Sequence, residues 1–126
     1  MREATFRHMF QKNASGMQQT AKVYCIELEK KSDPPASFMA RFAHDPKPVR
    51  VGSACSQDAG HGVIEKATGA RGLAFRIDGV SFTDKDHATV NGGYYEAGLS
   101  ASGNVYTLER QKGVWVVTKD QMVWIS

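Results

Sequence analysis

The chain has 126 residues, 41% of them hydrophobic and 23% charged, which predicts one α+β domain spanning 1–126 with its own core. Sixteen Lys and Arg stand against thirteen Asp and Glu, a net charge of +3. The excess lies in residues 1–50, with nine basic against five acidic, but Lys30-Lys31 is the only adjacent basic pair and acidic side chains surround it. Nucleic-acid binding is not expected without a clustered basic stripe. No apolar run reaches the ~20 residues that cross a bilayer, so no membrane contact is expected either.

The residues enter a helical pattern at once, without an apolar leader. The expectation is a cytoplasmic chain as it stands, or an exported one if a leader was removed. Over 3–14, Phe6, Met9 and Phe10, with Met17 beyond, fall at helical spacing on one face, and 13–16 supplies a stop with Gly16 suited to a left-handed residue. Residues 21–29 change to a β pattern in which Tyr24, Ile26 and Leu28 share one face and Val23 and Cys25 the other. A second helix is expected from Asp33 as N-cap and Pro34 at the first position, with Phe38, Met39 and Phe42 as its apolar stripe. The prolines at 46 and 48 end it.

A strand over 49–55 and a loop over 56–62 come next. Then 63–65 and 71–77 form the arms of a hairpin with Gly69 at the strained position, and Gly79 marks a bulge. A turn at 83–86 leads into a long strand over 87–97, with Gly92-Gly93 permitting a bend or a close approach. Residues 100–104 read as a turn, 105–110 as a returning strand and 111–113 as a short hairpin. Strands over 114–118 and 122–125 complete the sheet. Helices segregated to one side of consecutive antiparallel strands define an α+β roll with a curved antiparallel sheet.

Cys25 and Cys55 lie thirty positions apart without metal-ligand spacing. Two buried thiols are the preferred reading and a disulfide between strands the other. No phosphate loop and no nucleophile elbow is present, and no cofactor or metal is called for.

Tyr94-Tyr95-Glu96 is the most suggestive cluster. Adjacent strand residues face opposite ways, so Tyr94 and Glu96 share a face, where a carboxylate beside a phenol can do acid–base work. The plainer reading packs the tyrosines in the sheet and leaves Glu96 in solvent. Arg76 and Asp78 could clamp an anion, with a surface ion pair as the default. His8 reads as an exposed helix histidine.

The segment Tyr106 to Val116, Y-x-L-E-R-Q-x-G-x-W-x-V, after long bent strands and an N-terminal helix, resembles the cystatin-like roll, and within it the ketosteroid-isomerase-like (SnoaL-like) superfamily. The likeness covers about residues 71–126. The strand over 21–29 departs from it, since those families place helix after helix there. The chain is also similar to small bacterial domains ending in GGYYE…SASGN…VTKD…WIS, which implies no activity. The superfamily likeness implies a pocket between sheet and helices holding a carboxylate base with a Tyr or Asp oxyanion donor. No catalytic motif aligns residue by residue, and no catalytic role is carried over.

The expected function is thus non-catalytic binding of a small apolar molecule, or protein interaction, by a homodimer formed through the sheet. The expected pocket residues are Tyr24, Arg76, Asp78, Tyr94, Glu96 and Tyr106. The alternative is a cofactor-independent isomerase, cyclase or hydrolase using Glu96 or Asp78 with Tyr24, Tyr94 or Tyr106. A structural domain without a ligand is the third class.

Overall fold

A computed structural model describes residues 1–13, 15, 20–58, 60–98 and 100–125. The Gly16 and Met17 expectations lie outside these residues. Among the described residues two short α-helices, α1 (Arg2–Gln11) and α2 (Ala36–Met39), accompany eight strands. These are β1 (Val23–Glu27), β2 (Val49–Val51), β3 (Cys55–Asp58), β4 (Gly62–Glu65), β5 (Arg71–Asp84), β6 (His87–Ala97), β7 (Ser100–Gln111) and β8 (Val114–Ile125). The architecture is therefore α+β. The sheet, however, is mixed rather than antiparallel, with the order β2-β1-β5-β6-β7-β8 and β1 parallel to both β2 and β5. β1 lies between β2 and β5, one strand in from the end of the path, and its parallel pairing with β2 is possible because helical and irregular chain, rather than a tight turn, connects the two. Among the described residues no helix is long and apolar enough to cross a membrane.

Strand β5 organises the molecule. Leu73, Phe75 and Ile77 point to the face that carries α1, joining Phe6, Met9, Tyr24, Ile26, Phe42, Tyr94, Tyr106 and Leu108 in one core. Phe10, partly buried, packs against it, its ring 4.8 Å from Tyr24 and 5.2 Å from Phe75. On the other face Ala74 packs with Val23, Cys25, Val63 and Cys55. That second cluster forms because the β3–β4 hairpin pairs with the start of β5 and covers the back of β1.

Several local expectations change for physical reasons. The second helix does not begin at Asp33. A residue before proline is pushed out of the helical region, so Pro34 is excluded by Pro35, which serves as the N-cap at φ −67°, ψ 159°. Asp33 instead accepts from the backbone N–H and the hydroxyl of Ser53. The strand expected over 49–55 breaks at Gly52–Ala54, a 3-10 turn, and the loop expected over 56–62 is largely β3 and its turn. Asp58 organises that turn by accepting from the N–H groups of Gly60 and His61 at 2.8 and 2.6 Å. Gly69 does take a left-handed φ of 74°. Strand β5 shifts register against β6 twice, between Ile77 and Gly79 and between Phe82 and Asp84, so Asp78 is the extra residue at the first. The segment 100–104 is strand rather than turn, and 114–125 is one strand with irregularities at Thr118 and Val123.

Helix α1 ends without a glycine at its described end. Asn13 donates from its side-chain nitrogen to the Met9 carbonyl and accepts from the Ser15 N–H, both at 2.8 Å. Polar ties hold its outer face: Arg2 donates to Glu29 at 3.1 Å, and Arg7 donates to Glu3 at 2.9 Å and to Asp45 at 3.2 Å. The Arg2 and Arg7 hydrogen bonds hold the Glu29 and Glu3 carboxyls below the ordinary range.

Cys25 and Cys55 form a disulfide, correcting the free-thiol reading. Burial alone does not decide between thiol and bridge; the hairpin folding back over β1 does, because it brings the two Cα atoms to 6.5 Å.

Constraining a loop with a sequence separation of 30 stabilises by about 3–4 kcal/mol on the chain-entropy account. Urea unfolding of the Cys25→Ser/Cys55→Ser variant should show a loss of that order. Because the Glu3 and Glu29 pKa values are depressed on folding, their contribution is present above the ordinary carboxylate range. It is lost as the pH falls below about 4. Thermal melts followed by circular dichroism should record this acid loss, and Arg2→Gln should flatten part of it.

Candidate ligand-binding cleft

The hairpin joining β7 to β8 closes through Lys112 and Gly113, both left-handed at φ 52° and 80°. Its register starts with Gln111 opposite Val114 and Leu108 opposite Val117. Continued without interruption, that register would set Lys119 opposite Tyr106. The bulge at Thr118 advances the strand by one residue, so Asp120 lies opposite Tyr106 and Met122 opposite Asn104. Those residues face α1. One inserted residue thus places a carboxylate, rather than a lysine, over the helix-side face.

The result is a polar chain across the sheet under the end of α1. The Ser102 hydroxyl donates to Asn104 Oδ1 at 2.8 Å, and Asn104 Nδ2 donates to Asp120 Oδ1 at 2.7 Å. His8 Nε2 lies 2.8 Å from Asp120 Oδ2. Ser102 and Asn104 are buried, while His8 and Asp120 keep about a fifth to a quarter of their side chains exposed. The His8 ring also meets Tyr106 edge-on, with centroids 5.7 Å apart.

Above this chain opens a cleft of about 370 Å³, lined by Gln11, Lys12 and Asn13 on one side and by Ser102, Asn104, Tyr106, Asp120 and Met122 on the other. Tyr106 is 2% exposed. Its hydroxyl makes no hydrogen bond with any described residue, yet it is not sealed off. Burial, reinforced by the Asp120 carboxylate, pushes the phenol above its ordinary range. It is therefore a neutral donor aimed at the cleft, beside a carboxylate held in place by Asn104 and His8.

A second opening lies on the opposite flank of α1. It holds about 280 Å³ between Arg7, Phe10, Gln11, Tyr24 and residues 45–47. Lys47 Nζ stands 5.2 Å above the Tyr24 ring. Burial raises the Tyr24 phenol and lowers the Lys47 amine.

The six pocket residues expected from the sequence do not form one site. Tyr106 lines the first cleft and Tyr24 the second, whereas Tyr94 is buried in the core between them. Glu96 accepts a hydrogen bond from the Ser15 hydroxyl. Arg76 and Asp78 belong to the opposite face, because Arg76 pairs across to Gly93, out of phase with Phe75 and Tyr94. There Arg76 donates to Asp78 at 3.1 Å and to the Ser102 carbonyl at 3.0 Å, and its guanidinium lies 5.6 Å from the Trp124 ring. The default ion pair is what forms. Glycine is needed in this row: a methyl on Gly103 would collide with the Trp124 indole, and one on Gly93 with the Ser102 carbonyl.

Sequence reasoning missed His8, Asn104, Ser102 and Asp120. Taking 100–104 as a turn removed two of them from the sheet, and splitting β8 left Asp120 between strands. The legible signal was the Lys112-Gly113 hairpin, which fixes the β7–β8 pairing to within one residue. Nothing local marks His8, whose partner is 112 positions away.

Comparison with protein-family models, with curated proteins and with solved structures returns no match.

The raised Tyr106 and Tyr24 pKa values favour the neutral phenols in the folded state. Their contribution is complete below the ordinary tyrosine value near 10 and is lost as the pH rises above it. Phenolate absorbance should thus show late-titrating tyrosines that ionise only with alkaline unfolding. Tyr106→Phe should remove one of them.

Proposed function

We propose that the protein is a small-molecule-binding domain built as a cystatin-like roll. Its ligand is a largely apolar molecule with one hydrogen-bond acceptor, held between α1 and the β7–β8 hairpin. The observation that carries this reading is the Tyr106 hydroxyl, a neutral donor on a buried residue, open to the cleft and bonded to no described group. An acceptor on a ligand takes the place that water holds on a hydroxyl open to the cleft, and a hydrogen bond made there contributes about 0.5–1.5 kcal/mol. Met122 and the aliphatic stem of Lys12 supply apolar wall. The helix lying across consecutive antiparallel strands β5 to β8 supports the roll; the parallel β1 and β2 are its departure. The Cys25–Cys55 bridge favours folding in an oxidising compartment.

A bicyclic ketone, 1-tetralone, is a suitable probe. Titration into the protein should give saturable amide chemical-shift changes at residues 102–106 and 120–122, with a rise in melting temperature. Tyr106→Phe should weaken binding about 5–15-fold, the worth of one hydrogen bond. Shifts scattered over the surface, or affinity unchanged in Tyr106→Phe, would refute the reading.

The His8–Asp120 pair favours a second, catalytic reading on the same cleft. Asp120 would take a proton from the carbon next to a ligand carbonyl while Tyr106 donates a hydrogen bond to the oxygen, giving an enol-like species that returns the proton. Deuterium wash-in at the α-carbon of 1-tetralone should be accelerated by the protein and abolished by Asp120→Asn. Exchange no faster than in buffer leaves the site a binding site alone.

A further inference from the structure

The last strand of the sheet path, β8, is bonded to β7 on one edge, and no described strand bonds to its other edge. It runs for 12 residues, whereas the strand at the opposite end of the path, β2, has three. Its two ends are apolar and open: Val114 is 63% exposed and Val116 37%, while Met122, Val123, Trp124 and Ile125 range from 43% to 57%. A long, exposed, apolar edge is a template for another strand.

We propose that this edge pairs antiparallel with β8 of a second copy of the chain. A two-fold contact must be complementary to itself reversed. β8 meets that condition in outline: residues 114–117 at one end and 122–125 at the other are apolar, and residues 118–121 between them are polar. Net charge does not oppose a second copy. The chain carries +3 overall, but this strand holds one lysine and one aspartate and is neutral.

Face matching selects the register. Cross-strand partners share a face, and the irregularities at Thr118 and Val123 leave Trp115, Val117, Asp120, Met122 and Ile125 on the helix side and Val116, Lys119, Gln121 and Trp124 on the other. Passing over the two irregular residues, the pairing that sets apolar against apolar is centred on Asp120. It joins Val117 to Met122, Trp115 to Ile125 and Val116 to Trp124, each contact made twice. Asp120 then approaches its own copy at the axis, the one like-charge pair of this register, and works against the apolar contacts on either side of it; each carboxylate is bonded by Asn104 and faces His8. Met122 lines the Tyr106 cleft, so Val117 of the second copy comes to its rim. The pairing itself does not depend on what the cleft binds.

Sedimentation equilibrium of the full chain from micromolar to submillimolar concentration tests the proposal. The expected result is a doubling of mass with concentration. Val116→Lys, which sets a charge against Trp124 of the second copy, should abolish the doubling, and Val116→Thr should retain it. A wild-type chain that stays monomeric, or a Val116→Lys variant that still doubles, overturns the proposal. The register is read separately from Asp120→Cys, placed at the axis. Mild oxidation should convert it to a covalent dimer far faster than Lys85→Cys on the β5–β6 turn, and equal rates overturn the proposed register.

Discussion

Strand β5 is bonded along both edges, to β1 on one side and to β6 and β4 on the other. Its alternation therefore divides the molecule. Leu73, Phe75 and Ile77 commit one face to the helices and the aromatic core, and Ala74 and Arg76 commit the other to the β3–β4 hairpin and the Trp124 row. A one-residue slip in this strand would exchange the two sets and expose the whole aliphatic face. The extra residue at Asp78 is tolerated because it falls beyond Ile77, after the core-facing residues of the first half have been set.

The candidate cleft depends on a second irregularity of the same kind. Helix α1 covers the core with Phe6 and Met9 but does not seal the sheet out to its last strand, where Asp120 and Met122 stand beside the helix end. There the sheet presents polar groups, and every buried side-chain polar atom among the described residues has a partner. Ser102, Asn104, Asp120 and His8 are tied in series. Such a chain fixes side-chain positions more firmly than isolated exposed pairs would, and it leaves the Tyr106 hydroxyl as the group directed outward.

The two ends of the sheet are managed differently. Near β1, the disulfide and a small apolar cluster fasten the hairpin over the back face, so that face is closed without a large core. At β8 the opposite holds, with Trp124 laid flat over Gly103 and its apolar neighbours left open. The edge strand is thus a wall of the cleft and also carries six of the seven exposed large hydrophobic residues among those described.

Much of the secondary structure was decided by short-range physics and was legible. The apolar spacing of Phe6, Met9 and Phe10 gives α1; the alternation of Leu73, Phe75 and Ile77 gives the heart of β5; Gly69 and Lys112-Gly113 give their turns. The α+β class follows from those elements. What the residues alone did not decide was pairing between distant segments: the parallel insertion of β1 beside β5, the bridge between Cys25 and Cys55, and the meeting of His8 with Asp120. Bulges are the sharpest case. Each shifts every later side chain by one position, and their occurrence is decided by packing between strands rather than by the local sequence. Only the tertiary structure could therefore set Asp120, and not Lys119, beside Tyr106.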